Sequence, residues 1–154
     1  VMTLNIHIGN LDIEPLDDGD ARYLDSTPVR FIVLEISLPK SERLHTPLGS
    51  SNHADFSYGR WHEFCERVGI KEVFYDEEGR LHGQNPGALW ITPLTAETIS
   101  SALEVLCGKY PDYKLMDVAT EGSVLDENFH LLHWLDFWVT WSLMNCERPA
   151  IYLS

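Results

Sequence analysis

The segment Phe129–Asn145, F-H-L-L-H-W-L-D-F-W-V-T-W-S-L-M-N, constrains the fold more than any other stretch of this chain and holds three of its five tryptophans. At about 100° per residue, Trp134, Trp138 and Trp141 fall within one narrow arc of a helix, flanked by Leu131, Leu135, Phe137 and Met144. Leu132, Val139 and Leu143 continue the apolar surface round the back, leaving His133, Asp136, Thr140 and Glu147 as a polar stripe. A helix apolar over so much of its circumference is buried. It is expected to be the element on which the rest packs.

Three polar residues break that pattern. Glu127, His130 and Asn145 project to the same side as the tryptophans. Buried indole N–H groups need acceptors, which Glu127 or Asn145 could supply. Alternatively, Glu127 and His130 wall a ligand pocket lined by Trp134 and Trp138, since an apolar cleft with a few convergent polar groups is the usual form of a small-molecule site. These four are the candidate ligand-binding residues; the catalytic residues are unassigned.

The remaining elements follow from periodicity and breakers. Met2, Leu4, Ile6 and Ile8 alternate with polar residues, a half-buried strand. Residues 9–28, acidic and containing Pro15, Gly19 and Pro28, read as a loop. Val29–Leu38 is β-branched and nearly continuous, a central strand. Residues 39–55 read as a long loop. Ser57 is an N-cap for a helix to about Val68, stopped by Gly69, with Trp61, Phe64, Cys65 and Val68 inward and Arg60, Glu63 and Arg67 outward. Val73–Tyr75 and Arg80–His82 flank D-E-E-G as a hairpin with Gly79 at positive φ. Ala88–Ile91 is a short strand. Thr92-Pro93 starts a helix with Ile99, Ala102, Leu103, Leu106 and Tyr110 inward, ended by Gly108. Asp126 caps the aromatic helix, and Ala150–Leu153 is a final strand.

The expected fold is therefore α+β: one domain over residues 1–154, with a small, mainly antiparallel sheet packed by about three helices and the C-terminal Trp-rich helix in the core. A chain of 154 residues suits one such core. No run approaches the roughly 18 apolar residues of a membrane span. V-M-T-L-N-I-H-I lacks the basic and apolar regions of a secretory leader; Val1, ahead of Met2, is set aside from the fold reading. Cys65, Cys107 and Cys146 are scattered, with no C-x-x-C, and read as buried free thiols of a cytoplasmic protein.

Known chemical motifs are incomplete here. Glu127-x-x-His130 has the spacing of a helix-bundle di-iron ligand pair, but no second E-x-x-H accompanies it. His130 and His133 lie about 60° apart round the helix and would need outside ligands to share a metal; His133 and Asp136 read as a surface pair. His62-Glu63-Phe64-Cys65-Glu66 begins like a zincin helix and ends in glutamate, where a second histidine is required. Glu14–Asp25 places Gly19 as a calcium loop does, but fails at Leu16 and Asp25. His53, Asp55 and Ser57 supply triad residue types too close together to argue a triad, whose test is geometric. No metal or cofactor is assigned.

Phe56–Phe64 (F-S-Y-G-R-W-H-E-F) and Ile91–Leu103 (I-T-P-L-T-A-E-T-I-S-S-A-L) together resemble small uncharacterised proteins of bacteria and their phages, ordered as loop, Y-x-x-[FW] helix, short strands and T-P-initiated helix. The resemblance covers about the middle third of the chain. It implies an α+β domain and carries over no functional residues.

Charge then shapes the functional expectation. The net charge is −13. Asp12, Glu14, Asp17, Asp18, Asp20 and Asp25 face only Arg22 in residues 1–28; Asp117, Glu121, Asp126, Glu127, Asp136 and Glu147 face only Arg148 in residues 115–154. Such a field repels phosphate backbones and attracts basic proteins. The expected function is a cytoplasmic, non-enzymatic interaction protein with a basic protein partner, inhibitor- or immunity-like. It has no direct nucleic-acid or membrane partner, and its oligomeric state is undetermined. The alternative is a small-molecule-binding protein or metal-assisted enzyme, using a pocket near Glu127 and His130 or the histidines His45, His53 and His62.

Overall fold

The computed structural model describes residues 3–15, 22–24, 27–36, 51–82, 87–113 and 124–154. Its architecture is α+β, a small antiparallel sheet with helices packed on it. The organising strand is β1 (Thr3–Pro15), which pairs antiparallel with three others. β4 (His53–Ser57) runs beside Thr3–His7, and β3 (Thr27–Val33) beside Leu11–Pro15. β6 (Pro149–Leu153) covers Ile6–Asn10 on the other edge. β2 (Arg22–Leu24) extends β3, and β5 (Ala88–Trp90) extends β6, giving the order β2-β3-β1-β6-β5 with β4 also on β1.

Residues 9–15, expected as loop, thus belong to the longest strand, and part of the expected loop 39–55 is strand β4. The physical reason lies at Gly9. Leu4, Ile6 and Ile8 face the helical side of the sheet, whereas Leu11 and Ile13 belong to a separate apolar cluster with Val33 and Ala150. Successive strand residues point to opposite faces. The apolar set therefore changes parity between Ile8 and Leu11 while the strand continues. Alternation alone reads such a change as an end. β3 lies inside the sheet order as expected and spans Thr27–Val33, with residues 34–36 outside the strand; residues 37–50 lie outside the described residues.

The helices start where their caps dictate. Ser57 accepts from the Arg60 amide and opens α1 (Tyr58–Val68), and Gly69 closes it at φ 76°. Trp61, Phe64 and Cys65 turn fully inward. Thr92 and Thr95 form a reciprocal capping box ahead of Pro93, opening α3 (Pro93–Lys109). Gly108 stays within α3, which ends at Lys109, and the C-cap Tyr110 is exposed rather than inward. Between them, the first arm of the expected hairpin is instead a single turn, α2 (Lys71–Phe74). A lone bridge, Tyr75–Leu81, closes round Gly79 at φ 78°. Asp76 steadies this turn by accepting from the Glu78 and Arg80 amides at 2.9 Å each.

The aromatic helix α4 (Val124–Asn145) begins two residues before Asp126. Asp126 sits in its first turn, where a carboxylate favours the helix dipole, and takes the hydroxyl of Tyr113. α4 lies against α3, α1, β1 and β6. Trp134, Trp138, Leu132, Leu135 and Val139 are completely covered. They meet Leu4, Ile6 and Ile8 from β1, Phe56 from β4, and Ile151 and Leu153 from β6 in one cluster. This is the buried core helix that its circumference required, with Trp141 partly covered and Met144 left in solvent. Among the described residues no helix is long and apolar enough to cross a membrane.

Candidate functional site

Of the polar residues on the tryptophan face, Glu127 and Asn145 find partners within the chain. Glu127 lies between two arginines of α1: Arg60 Nε donates to Oε1 at 2.5 Å, and Arg67 Nη2 approaches Oε2 at 3.5 Å. Arg67 Nε also donates to Asn128 Oδ1 at 3.1 Å. The carboxylate joins α1 to α4. Asn145 donates to the Trp141 carbonyl at 2.8 Å, near the helix end and exposed. Trp134 sends its indole N–H to the Ser51 carbonyl at 2.8 Å, while the Trp138 Nε1 is buried without a partner. His130 is 6% exposed with Nδ1 unpartnered, and burial lowers its pKa, with Asp126 opposing and His133 adding.

The other motif residues scatter. His62 faces Glu66 at 3.7 Å and meets the Tyr75 ring edge-on. It lines a shallow groove of about 390 Å³ with Tyr58, Tyr75 and Arg80. Asp136, expected opposite His133, takes the Ser100 hydroxyl from α3. In the Glu14–Asp25 segment, Glu14 and Pro15 close β1 and Arg22–Leu24 form β2, so strand stands at both ends of it; Leu16, Gly19 and Asp25 lie outside the described residues. Among the described residues no group of three or more His, Cys, Asp or Glu side chains is arranged to hold a metal. Of the three free cysteines only Cys65 is buried, and burial raises its thiol pKa strongly; Cys107 is exposed and Cys146 partly covered. The expectation of three buried thiols is corrected accordingly.

His53 and Asp55 do come together, on strand β4 rather than on a loop. They are two residues apart on one face, with Nε2 and Oδ1 3.0 Å apart. Ser57 is committed to capping α1. The register of β1 against β4 places His7 opposite His53, and the two imidazoles stack at 4.1 Å, 11° from parallel, with Tyr152 beside them. His7 Nδ1 is buried without a partner, and burial first, then His53, lowers the His7 pKa, against Asp55 and Glu35. Stacked rings direct their in-plane lone pairs side by side and not at one point. The pair lies on the sheet face away from the main core. His7 escapes a sequence reading because only strand pairing brings it to His53.

A second surface feature runs along α3. Leu94 and Val105 are 70% and 60% exposed. With Val68, Thr98 and Ser101 they line a groove of about 420 Å³ between α3 and the end of α1. An adjoining groove of about 270 Å³ shares Leu94 and Thr98 and continues to Glu72, Val73 and His82. None of the three grooves is lined by Glu127, His130, Trp134 or Trp138.

The fold class is thus a helical layer on one face of an antiparallel sheet. No protein-family model, curated protein or solved structure matches the chain.

Proposed function

We propose that the chain is a non-enzymatic interaction protein that holds a basic protein partner, as an inhibitor or immunity protein holds a cationic toxin. The observation that carries this reading is how the charges are distributed. Arg60 and Arg67 hold Glu127, Lys71 holds Glu66, Arg80 holds Asp76 and Glu78, and Arg148 faces Asp12. These bases are neutralised within the chain. Glu63, Glu72, Glu97, Glu104 and Asp112 meanwhile stand exposed. Among the described residues these carboxylates face outward, and with a net charge of −13 the chain carries a field that steers cationic surfaces and disfavours anionic ones.

The pocket reading draws less support. Glu127 is occupied by two arginines, and the rings of Trp134 and Trp138 are covered. The test is affinity capture from lysate at low ionic strength, with elution by salt. The expected result is a basic protein released by about 0.5 M salt, where the screening length falls below roughly 5 Å. Failure to capture any basic protein would sink the proposal.

A further inference from the structure

Resting on that reading, we infer that the groove along α3 is the docking site for a cationic amphipathic helix of the partner. α3 carries a buried apolar stripe and an exposed line of residues with large apolar side chains at its two ends. Ile99 and Leu103 are buried against the core. Leu94, Thr98, Ser101 and Val105, spaced three or four residues apart, form a second line along the helix, whose two large apolar ends are left exposed by the described residues. The middle of this line is small, so the groove is open between Leu94 and Val105. These two residues are eleven positions apart, about 16 Å or three helical turns. That length accepts two to three turns of a partner helix, read through anchors at i, i+3 or i+4, and i+7.

The charges select the partner. Glu97 and Glu72 line the two grooves, Glu104 stands exposed one helical step away, and no lysine or arginine is among the described residues that line them. Lys71, at the start of α2, is held by Glu66 at 3.3 Å. A second copy of this chain would bring another −13 to the same face, so self-association here is opposed by charge. A helix with leucines on one side and lysines or arginines on its flanks satisfies both the apolar ends of the line and the carboxylates.

The experiment uses a labelled 14-residue peptide of alternating Leu and Lys character at helical spacing, with a scrambled peptide of identical composition. Binding is followed by fluorescence anisotropy at low ionic strength. The expected result is binding of the amphipathic peptide, about tenfold weaker binding of the scrambled one, and a loss of about tenfold or more with Leu94→Arg/Val105→Arg. Both positions are exposed, so the variant should melt as the parent does, and Glu147→Gln should bind normally. Equal binding of the two peptides, insensitive to Leu94 and Val105, would overturn the docking site and leave the basic-partner reading standing. Binding of neither peptide would also overturn the docking site, while the lysate capture judges the wider reading. A dimer in sedimentation that Leu94→Arg abolishes would reassign the groove to a second copy and refute the inference.

Discussion

Asn52 offers the sharpest test of how the sheet is held together. It lies just ahead of β4 with no exposed surface. Its Nδ2 donates to the carbonyls of Ile8 and Leu34 at 2.9 Å each, its Oδ1 accepts from the Ile36 amide at 2.8 Å, and its own carbonyl accepts from the Ile8 amide at 3.0 Å. One side chain therefore joins β1 to the segment leaving β3, at the point where β3 and β4 take turns on the same edge of β1. Asn52→Ala keeps the backbone bond and orphans three backbone groups. The Ile8 carbonyl, in a buried residue, bears the full cost of an unsatisfied group, about 1–3 kcal/mol. Leu34 and Ile36 are at least partly exposed and recover part of theirs from water. The sum is about 3 kcal/mol, or a melting temperature lower by about 6–12 °C for a chain of this size.

Asn52→Asp has almost the same shape and sharpens the test. An ionised carboxylate would face two carbonyl oxygens without a proton to give. Its folded-state pKa is raised, so the protein recovers stability as pH falls through that value and the acid can donate again. Urea unfolding at pH 7.5 and pH 5 measures both variants. The reasoning fails if Asn52→Ala lies within about 0.5 kcal/mol of the parent, or if Asn52→Asp is equally destabilised at both pH values.

Burial holds His7, His130 and His133 below the ordinary imidazole value of 6.5. The unfolded chain therefore takes up protons first. Stability is retained above about pH 6.5 and falls as pH drops below it, and His7→Gln flattens the fall in urea melts. Trp134→Phe costs about 1 kcal/mol more than Trp138→Phe, because only Trp134 has a hydrogen bond to lose; chemical denaturation of the two variants compares them. Glu127→Gln weakens the chain by only about 0.5–1 kcal/mol, since its arginine pairs are partly exposed, and the difference shrinks in 0.5 M salt.

What could be seen in the sequence follows from how local each cause is. Ser57, Gly69 and Thr92-Pro93 act on their own neighbours, so the ends they set stand where they were expected. The burial of α4 follows equally from its own circumference. Pairing is different. β1 hides its second half behind a change of apolar parity, and α2 replaces a strand in a segment too short for either period to decide. The partners of Glu127 come from α1, 60 and 67 residues away in sequence, and its position on α4 alone could not distinguish an arginine clamp from a ligand. His7 and His53 become neighbours only through a strand register.

The parity change at Gly9 makes β1 a beam shared by two rooms. Its first half furnishes the helical side of the sheet, and its second half the opposite side. Sliding β1 by one residue would evict the occupants of both sides together, since neither half can gain what the other loses. Removing one residue between Ile8 and Leu11 would instead put the two halves out of step. Either half could then keep its seat only by giving up the other. The chain's longest strand is therefore also its least elastic in length, and inserted or deleted residues should be tolerated at its ends long before they are tolerated at its middle.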